Sequence, residues 1–243
     1  MDGVPYVETR RLNNQVQVIL HDGVVSVVKR CCQRECCQGE KEMYRILRDA
    51  NVSGVVPTRE VVVDGKSGLL MPAWRGLSGY RGESDHLLLD KARSCAVSLA
   101  YVHLAGILHN NVKPGNILVD PNERPVLCDF DMATHSDATY EVCGTPLFRF
   151  DDDVTPSPRR DLRSLCLTFD WLSELWPSLC QRPTWSTLSQ RPITKTIWAA
   201  YHQTIDEADA NRSSRSHKRG RKRSRSERNT RGSSKRTRSG ACY

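Results

Sequence analysis

The sequence predicts an α+β fold, and three stretches carry that reading. Residues 4–30 are rich in Val and Ile and are broken by turn residues, which is the pattern of short strands. Asp85 to Ala105 sets Leu88, Ala92, Cys95, Ala96, Leu99 and Val102 on one apolar stripe at helical spacing. His109 to Asp129 opens with a polar loop, then gives two short apolar runs around a turn at Pro121-Asn122.

The third stretch carries the chemistry. Two strands around a turn would present Lys113, Asn116 and Asp129 on one edge. A cation, an amide and a carboxylate at that spacing suit a nucleotide phosphate with its Mg²⁺, because hard cations take oxygen ligands. HNNVKPGNILVDPNERPVLCD resembles the catalytic loop and metal-binding segment of a eukaryotic-type protein kinase, which reads HRDxKxxN, two strands, then DFG. His109, Lys113, Asn116, Asp129 and Phe130 match at the family's spacing, whereas Asn110, Asn111 and Asp131 do not. The resemblance implies a two-lobed architecture. A small β-rich N-lobe would occupy 1–75, a shortened helical C-lobe 76–205, and a disordered basic tail 206–243.

Taken in order, VPYVETRRL, VQVILHDG and VVSVVKR read as strands, with Asn13-Asn14 as a turn. In the kinase frame Val27-Val28-Lys29 is similar to the third-strand V-A-x-K, which puts Lys29 on the nucleotide phosphates. The family's glycine-rich phosphate loop is missing, since only Gly3 and Gly23 precede Lys29. That loop uses glycine to let backbone N–H groups approach phosphate closely, so its absence predicts weaker nucleotide retention. Cys31, Cys32, Cys36 and Cys37 form a CC-x3-CC cluster. Structural zinc sites separate their ligand pairs by a longer loop, so solvent-facing thiols are expected here.

Glu40 to Ala50 reads as a helix, with Met43, Ile46 and Leu47 at helical spacing. It corresponds to the kinase helix whose glutamate pairs with the strand lysine. Glu42 fits that role best if Ile46 packs inward, and Glu40 is the alternative. Val61 to Met71 suggests a hairpin turning at Asp64-Gly65. LLMPAW then resembles a kinase hinge, where backbone groups near Met71 would bind adenine. Its Pro72 is reminiscent of large-DNA-virus kinases, the herpesvirus ones especially. The helix over 85–105 is capped by Ser84 or Asp85 and stopped by Gly106.

Beyond Asp129, CGTPLF ends a short activation-segment candidate, and Thr145 resembles the threonine that contacts the catalytic loop. Asp152 falls where the family carries the glutamate of APE, with Arg182 as its expected partner. Asp161 matches the aspartate that anchors the catalytic-loop backbone. So little chain separates Asp161 from Arg182 that the helices usually lying between them must be mostly absent.

Charge is segregated. From Asn211 to Tyr243 there are thirteen Lys and Arg against one acidic residue, Glu227. Removing these from the 36 basic and 28 acidic residues of the chain leaves 23 and 27, so a mildly acidic body carries a basic tail. With almost no apolar residues, that tail cannot offset its ordering entropy and is expected to be disordered. KRGRKRSRS reads as a nuclear-localisation signal or a nucleic-acid patch, and the Arg-Ser dipeptides as phosphorylation sites. No apolar run approaches the roughly 18 residues that mark a membrane span, and MDGVPYVETRR has no signal-peptide core. Ten cysteines without a secretory signal point to reduced thiols in an intracellular protein.

The resemblance thus implies ATP and Mg²⁺ as cofactors and phosphotransfer of the Ser/Thr type to a protein substrate. Lys29 and the Asn116–Asp129 metal pair are retained, and Lys113 would steady the transferred group. Asn111 replaces the aspartate that takes the substrate's proton, which impairs the reaction. The alternative is a catalytically dead member acting in the nucleus as a protein- or nucleic-acid-binding module.

Overall fold

The structure, a computed structural model, describes residues 7–11, 15–30, 34–141, 143–173 and 182–231; within 7–11, 34–37 and 215–231 it describes the backbone only. Five strands form the first sheet: β1 (Val7–Arg11), β2 (Val16–His21), β3 (Val24–Arg30), β4 (Arg59–Val63) and β5 (Lys66–Pro72). Their order is β1-β2-β3-β5-β4, antiparallel throughout. Asp22-Gly23 and Asp64-Gly65 close two hairpins with φ between 50° and 75° at all four residues. That is the twist-matched turn that Asp-Gly favours.

Strand alternation assigns the faces of β3. Ser26 and Val28 are buried, and Val28 joins Ile19, Val61 and Val63 in the sheet's core, with Leu70 packed against them. Val27 and Lys29 take the opposite face, which becomes one wall of the cleft. Gly68 lies opposite Arg30, where an added Cβ would come within 2.9 Å of the Lys29 carbonyl oxygen.

Helix α1 (Arg34–Asp49) begins before the expected Glu40 because Arg34 to Gln38 contains no helix breaker and the following Gly39 is exposed. Its buried stripe is Glu40, Met43, Tyr44 and Leu47, a spacing of three, four and seven from the first member. Ile46 is only half-buried.

The second lobe is helical with small sheets at its upper edge. It comprises β6 (Arg75–Gly76), α2 (Asp85–Leu104), β7 (Ile107–Leu108), β8 (Ile117–Val119), β9 (Pro125–Leu127), β10 (Thr134–His135), α3 (Pro158–Leu172), α4 (Trp185–Leu188) and, as far as His202, the start of α5 (Pro192–Arg231). The six stripe residues of α2 are all essentially inaccessible, and Gly106 ends the helix at φ 80°. Ser84 occupies the N-cap position without making a side-chain cap bond. Strands β6, β8 and β9 form one sheet, and β7 pairs with β10. The loops between these short strands hold the chemistry. Helix α3 is buried continuously from Arg160 to Asp170, so it is a core helix and not an amphipathic surface one. The Ser157 hydroxyl accepts the Arg160 N–H at 3.2 Å to cap it. Among the described residues no helix lies between α3 and α4.

The chain divides into two units, Met1–His202 and Gln203–Tyr243. The two lobes and the cleft belong to the first. In the second, the α5 backbone is helical to Arg231. Residues 211–214 are exposed there. No helix among the described residues is long and apolar enough to cross a membrane.

Candidate active site

A cleft of about 420 Å³ opens between the first sheet and the loops of the second lobe, within the roughly 300–1,000 Å³ usual for small-molecule sites. Val16, Val27, Met71, Trp74 and Leu118 form its apolar walls, and Lys29, Asn116, Asp129 and Asp131 its polar end. An apolar slot beside a convergent polar group is what a purine attached to phosphates requires. Met71 lines the slot from β5, opposite Val27. In the hinge, the Trp74 N–H is already given to the Pro72 carbonyl at 3.0 Å.

Lys29 connects the lobes. Its ammonium donates to Glu40 of α1 at 3.0 Å and to Asp129, and lies 3.9 Å from Asp131. Burial alone would lower the lysine's pKa, but Glu40, Asp129 and Asp131 outweigh it and hold the group above its ordinary range. The sequence reading favoured Glu42 as the partner, and the structure corrects it to Glu40. Glu42 is half-exposed and bonds Arg45, one turn along the same helix, at 2.8 Å. The reason lies in the stripe. Glu40 is in register with the buried Met43, Tyr44 and Leu47, whereas the inward packing of Ile46 that argued for Glu42 is absent.

Asp129 adopts φ 65°, a left-handed conformation costly for a non-glycine residue, and is held in it from several sides. Its N–H donates to the Tyr44 hydroxyl at 3.0 Å. Phe130, fully buried, packs edge-on against Tyr44 at 5.1 Å and against His109 at 4.6 Å between ring centres. The His109 Nε2 in turn contacts the Cys128 carbonyl at 3.0 Å. Tyr44 was missed in the sequence. Its signal was the position one helical turn after Glu40, legible only once Glu40 is chosen.

The catalytic-loop residues form a second cluster. The Asn111 Oδ1 accepts the Thr145 N–H at 3.2 Å and the Thr145 hydroxyl at 2.8 Å, and Lys113 Nζ donates to Thr145 Oγ1 at 3.1 Å. A backbone N–H only donates, so it fixes the Asn111 amide with oxygen toward Thr145 and the NH₂ group away from it. Asn116 donates its Nδ2 to the Asn111 carbonyl at 2.9 Å. Beneath them, the buried Asp161 accepts the N–H groups of His109 and Asn110, each at 2.8 Å, and pairs with His103 at 3.0 Å. Burial would raise the Asp161 pKa, but the His103 contact and the loop N–H groups hold it below the usual carboxylate range. Asn110 turns inward, donating to the Thr134 hydroxyl at 3.0 Å and the Met132 carbonyl at 3.1 Å. Gly144 is required beside it, because a Cβ would stand 2.8 Å from the Asn110 carbonyl oxygen.

A second pairing also needs correction. Asp152 does not meet Arg182. It pairs with Arg163 of α3 at 3.0 Å, as does Asp153 at 2.7 Å, and the Arg163 guanidinium stacks 4.2 Å over Phe150. Arg182 instead reaches Asp151 at 3.5 Å and the Pro146 and Arg149 carbonyls. Arg163 sits inside a buried helix that passes directly beneath this loop. The Cys31, Cys32, Cys36 and Cys37 cluster, and the turn at Asn13-Asn14, lie outside the described residues or side chains.

Comparison with known proteins agrees with this geometry. Residues 84–156 match the protein kinase domain family. The cAMP-dependent protein kinase type 3 of Saccharomyces cerevisiae is 35% identical over 68 residues, 28% of this chain and 17% of that protein. The serine/threonine-protein kinase DCLK2 of Mus musculus is 26% identical over 179 residues, 60% of this chain and 23% of that protein. The solved structure of the Cydia pomonella granulovirus kinase PK-1 superimposes with a TM-score of 0.60 at 18% identity, covering 71% of this chain and 70% of that one. The fold and these matches support the protein-kinase superfamily, and a viral kinase is among the solved structures that share the fold. The chain spans less than a quarter of the length of those two curated relatives.

Proposed function

We propose that this protein binds ATP with Mg²⁺ in the cleft and transfers phosphate slowly to Ser or Thr hydroxyls of a protein. The observation that carries the reading is the Lys29–Glu40–Asp129 connection across the cleft, closed by hydrogen-bonding distances on both sides. Lys29 would bind the phosphates and Asn116 and Asp129 the cation, which supplies charge neutralisation at the phosphates when bound. The chain's own residues do the rest. Apolar walls from both lobes exclude water around the base. Lys113, held by Thr145, directs a positive charge to the phosphate-accepting side.

Asn111 sets the rate. Its Oδ1 is committed to Thr145, so the group it presents on the other side is an amide NH₂, a donor where a base needs an acceptor. It orients a hydroxyl but does not take its proton. General-base catalysis is typically worth about 10²–10⁴ in rate, and a largely dissociative transition state tolerates its loss. The same committed Oδ1 supports a second reading, a nucleotide-holding module without transfer that acts by binding a partner. Transfer of labelled phosphate from ATP to a mixed Ser/Thr peptide set, beside Lys29→Ala, tests the first reading. Transfer that vanishes with Lys29→Ala supports it. ATP binding without any transfer leaves the second.

The basic segment supports action in the nucleus and contact with nucleic acid, since thirteen cations follow an acidic body. Deleting 212–243 is expected to abolish nuclear accumulation and salt-dependent RNA or DNA binding, and to leave the thermal unfolding of the remainder unchanged. A truncated protein that still enters nuclei overturns this assignment.

A further inference from the structure

Where the cleft would meet a base, its backbone is short of hydrogen-bond donors. Met71, Pro72 and Trp74 line the cleft from the end of β5 and the link to β6. Met71 is paired with Val27 in the β3–β5 ladder. Beyond it, Pro72 has no N–H. The Trp74 N–H turns back on the chain and donates to the Pro72 carbonyl at 3.0 Å, an i to i+2 bond of the γ-turn kind. Ala73, the central residue of that turn, is exposed and does not line the cleft. Acceptors are not removed in the same way. A carbonyl oxygen has two lone pairs, so even the Pro72 oxygen can take a second bond. Residue identity, a hydrogen bond and exposure thus each withdraw a donor from this stretch, and none withdraws an acceptor.

The two purines differ toward such an edge. Adenine presents an amino group, N6–H₂, beside the bare ring nitrogen N1. Guanine presents N1–H and its N2 amino group as two neighbouring donors, with the O6 acceptor beside them. Against carbonyl oxygens, two of guanine's three groups find acceptors, whereas adenine's N1 is left without a donor. The apolar walls, Val16, Val27 and Leu118, do not choose between the two, because dispersion contacts grip either ring system alike. We propose that the cleft takes guanine nucleotides at least as tightly as adenine nucleotides, with Pro72 and the Trp74-to-Pro72 bond setting the preference. The inference rests on the nucleotide-binding reading above and adds base selection to it.

The test is calorimetric titration of the full chain with ATP, GTP and 1-deaza-ATP, each with Mg²⁺. The last replaces adenine N1 by a C–H and keeps the amino group. A net hydrogen bond changes affinity by a few-fold to about tenfold, which sets the scale to be resolved. GTP is expected to bind as tightly as ATP or more tightly. The 1-deaza analogue should match ATP, because N1 has no bond to lose. Pro72→Ala returns an N–H to the stretch and should shift the preference toward ATP by about fivefold, one hydrogen bond's worth. Thermal unfolding without nucleotide checks that this variant folds, and the three titrations of the unaltered chain decide without it. ATP bound more than about fivefold tighter than GTP, the same single-bond scale, would overturn the proposal and leave the nucleotide reading standing. A matching loss for 1-deaza-ATP would overturn it too, by showing that a donor meets N1. An unchanged preference in folded Pro72→Ala would overturn the role given to Pro72. Failure of all three nucleotides to bind would end both readings.

Discussion

The two halves of the candidate site are built from different chemistry. On the side proposed for phosphate, the Lys29 ammonium meets the Glu40 and Asp129 carboxyl groups and joins the two lobes. On the side proposed for the hydroxyl, hydrogen bonds join Asn111, Lys113 and Thr145, and position 111 carries a neutral amide. A site preserved only for structure would need neither Lys29's three carboxylates nor a strained Asp129. A site preserved for fast transfer would need a carboxylate at 111. The contrast teaches that loop shape and proton transfer make separate demands on position 111, because Thr145 bonds an amide oxygen as readily as a carboxylate oxygen.

The strongest way to break the comparison is to remove what both halves rest on. Asp161 accepts the backbone N–H groups of His109 and Asn110 from a fully buried position. Asp161→Ala leaves buried donors unpaired and is expected to cost about 3–5 kcal/mol, the range for breaking a buried charged pair. Urea unfolding at neutral pH measures it. The Asp161 carboxyl has a lowered pKa in the folded protein. Its contribution is therefore fully present above the ordinary aspartate value near 3.9 and is lost as pH falls through the lower folded value. The difference between the parent and Asp161→Ala should shrink only in that acidic window. A difference constant down to the lowest pH at which both fold would show that the charge plays no part.

Sharpening the contrast requires restoring the hydroxyl side alone. Asn111→Asp replaces the outward NH₂ with an oxygen at nearly the same size, while the other oxygen keeps both Thr145 bonds. A gain of about 10² in transfer rate is expected, the low end of general-base effects. Single-turnover transfer with ATP saturating reads it. An unchanged rate in Asn111→Asp combined with Asp131→Gly, with ATP shown to be bound, would assign the protein to the binding-module reading.

Much of this was legible in the chain. The 109–129 stretch gave strand, turn and side-chain order because each element there is short and its residues are consecutive. The α2 stripe was legible because one period ran unbroken for twenty residues. What failed were choices between neighbours. Glu40 against Glu42 turned on which way one helix faces, and Ile46 was a single apolar residue weighed against a stripe that includes a glutamate. Arg163 against Arg182 failed because a buried cation inside a core helix reads as a helix former until the loop above it is placed. Asp131 was legible as a departure from the family pattern, but only the fold puts it 3.9 Å from Lys29.

The smallest effect tests that helix face directly. Glu40→Gln keeps the volume and one acceptor oxygen but removes the charge that meets Lys29 at 3.0 Å. Lys29 retains Asp129 and Asp131, so its ammonium stays charged and the fold survives; what is lost is the tie between α1 and β3. Affinity for Mg²⁺–ATP should fall about tenfold, equivalent to about 1.4 kcal/mol, at the upper end of the range of an ordinary net hydrogen bond. Glu42→Gln, whose parent side chain pairs with exposed Arg45 and not with Lys29, should bind as the unaltered protein does. Calorimetry on the pair decides between them. A loss in Glu42→Gln with Glu40→Gln unaffected would rotate α1 by two residues and undo the Tyr44 bond to Asp129 as well. That bond and the Lys29 contact stand on the same face, one turn apart, so neither survives the rotation alone.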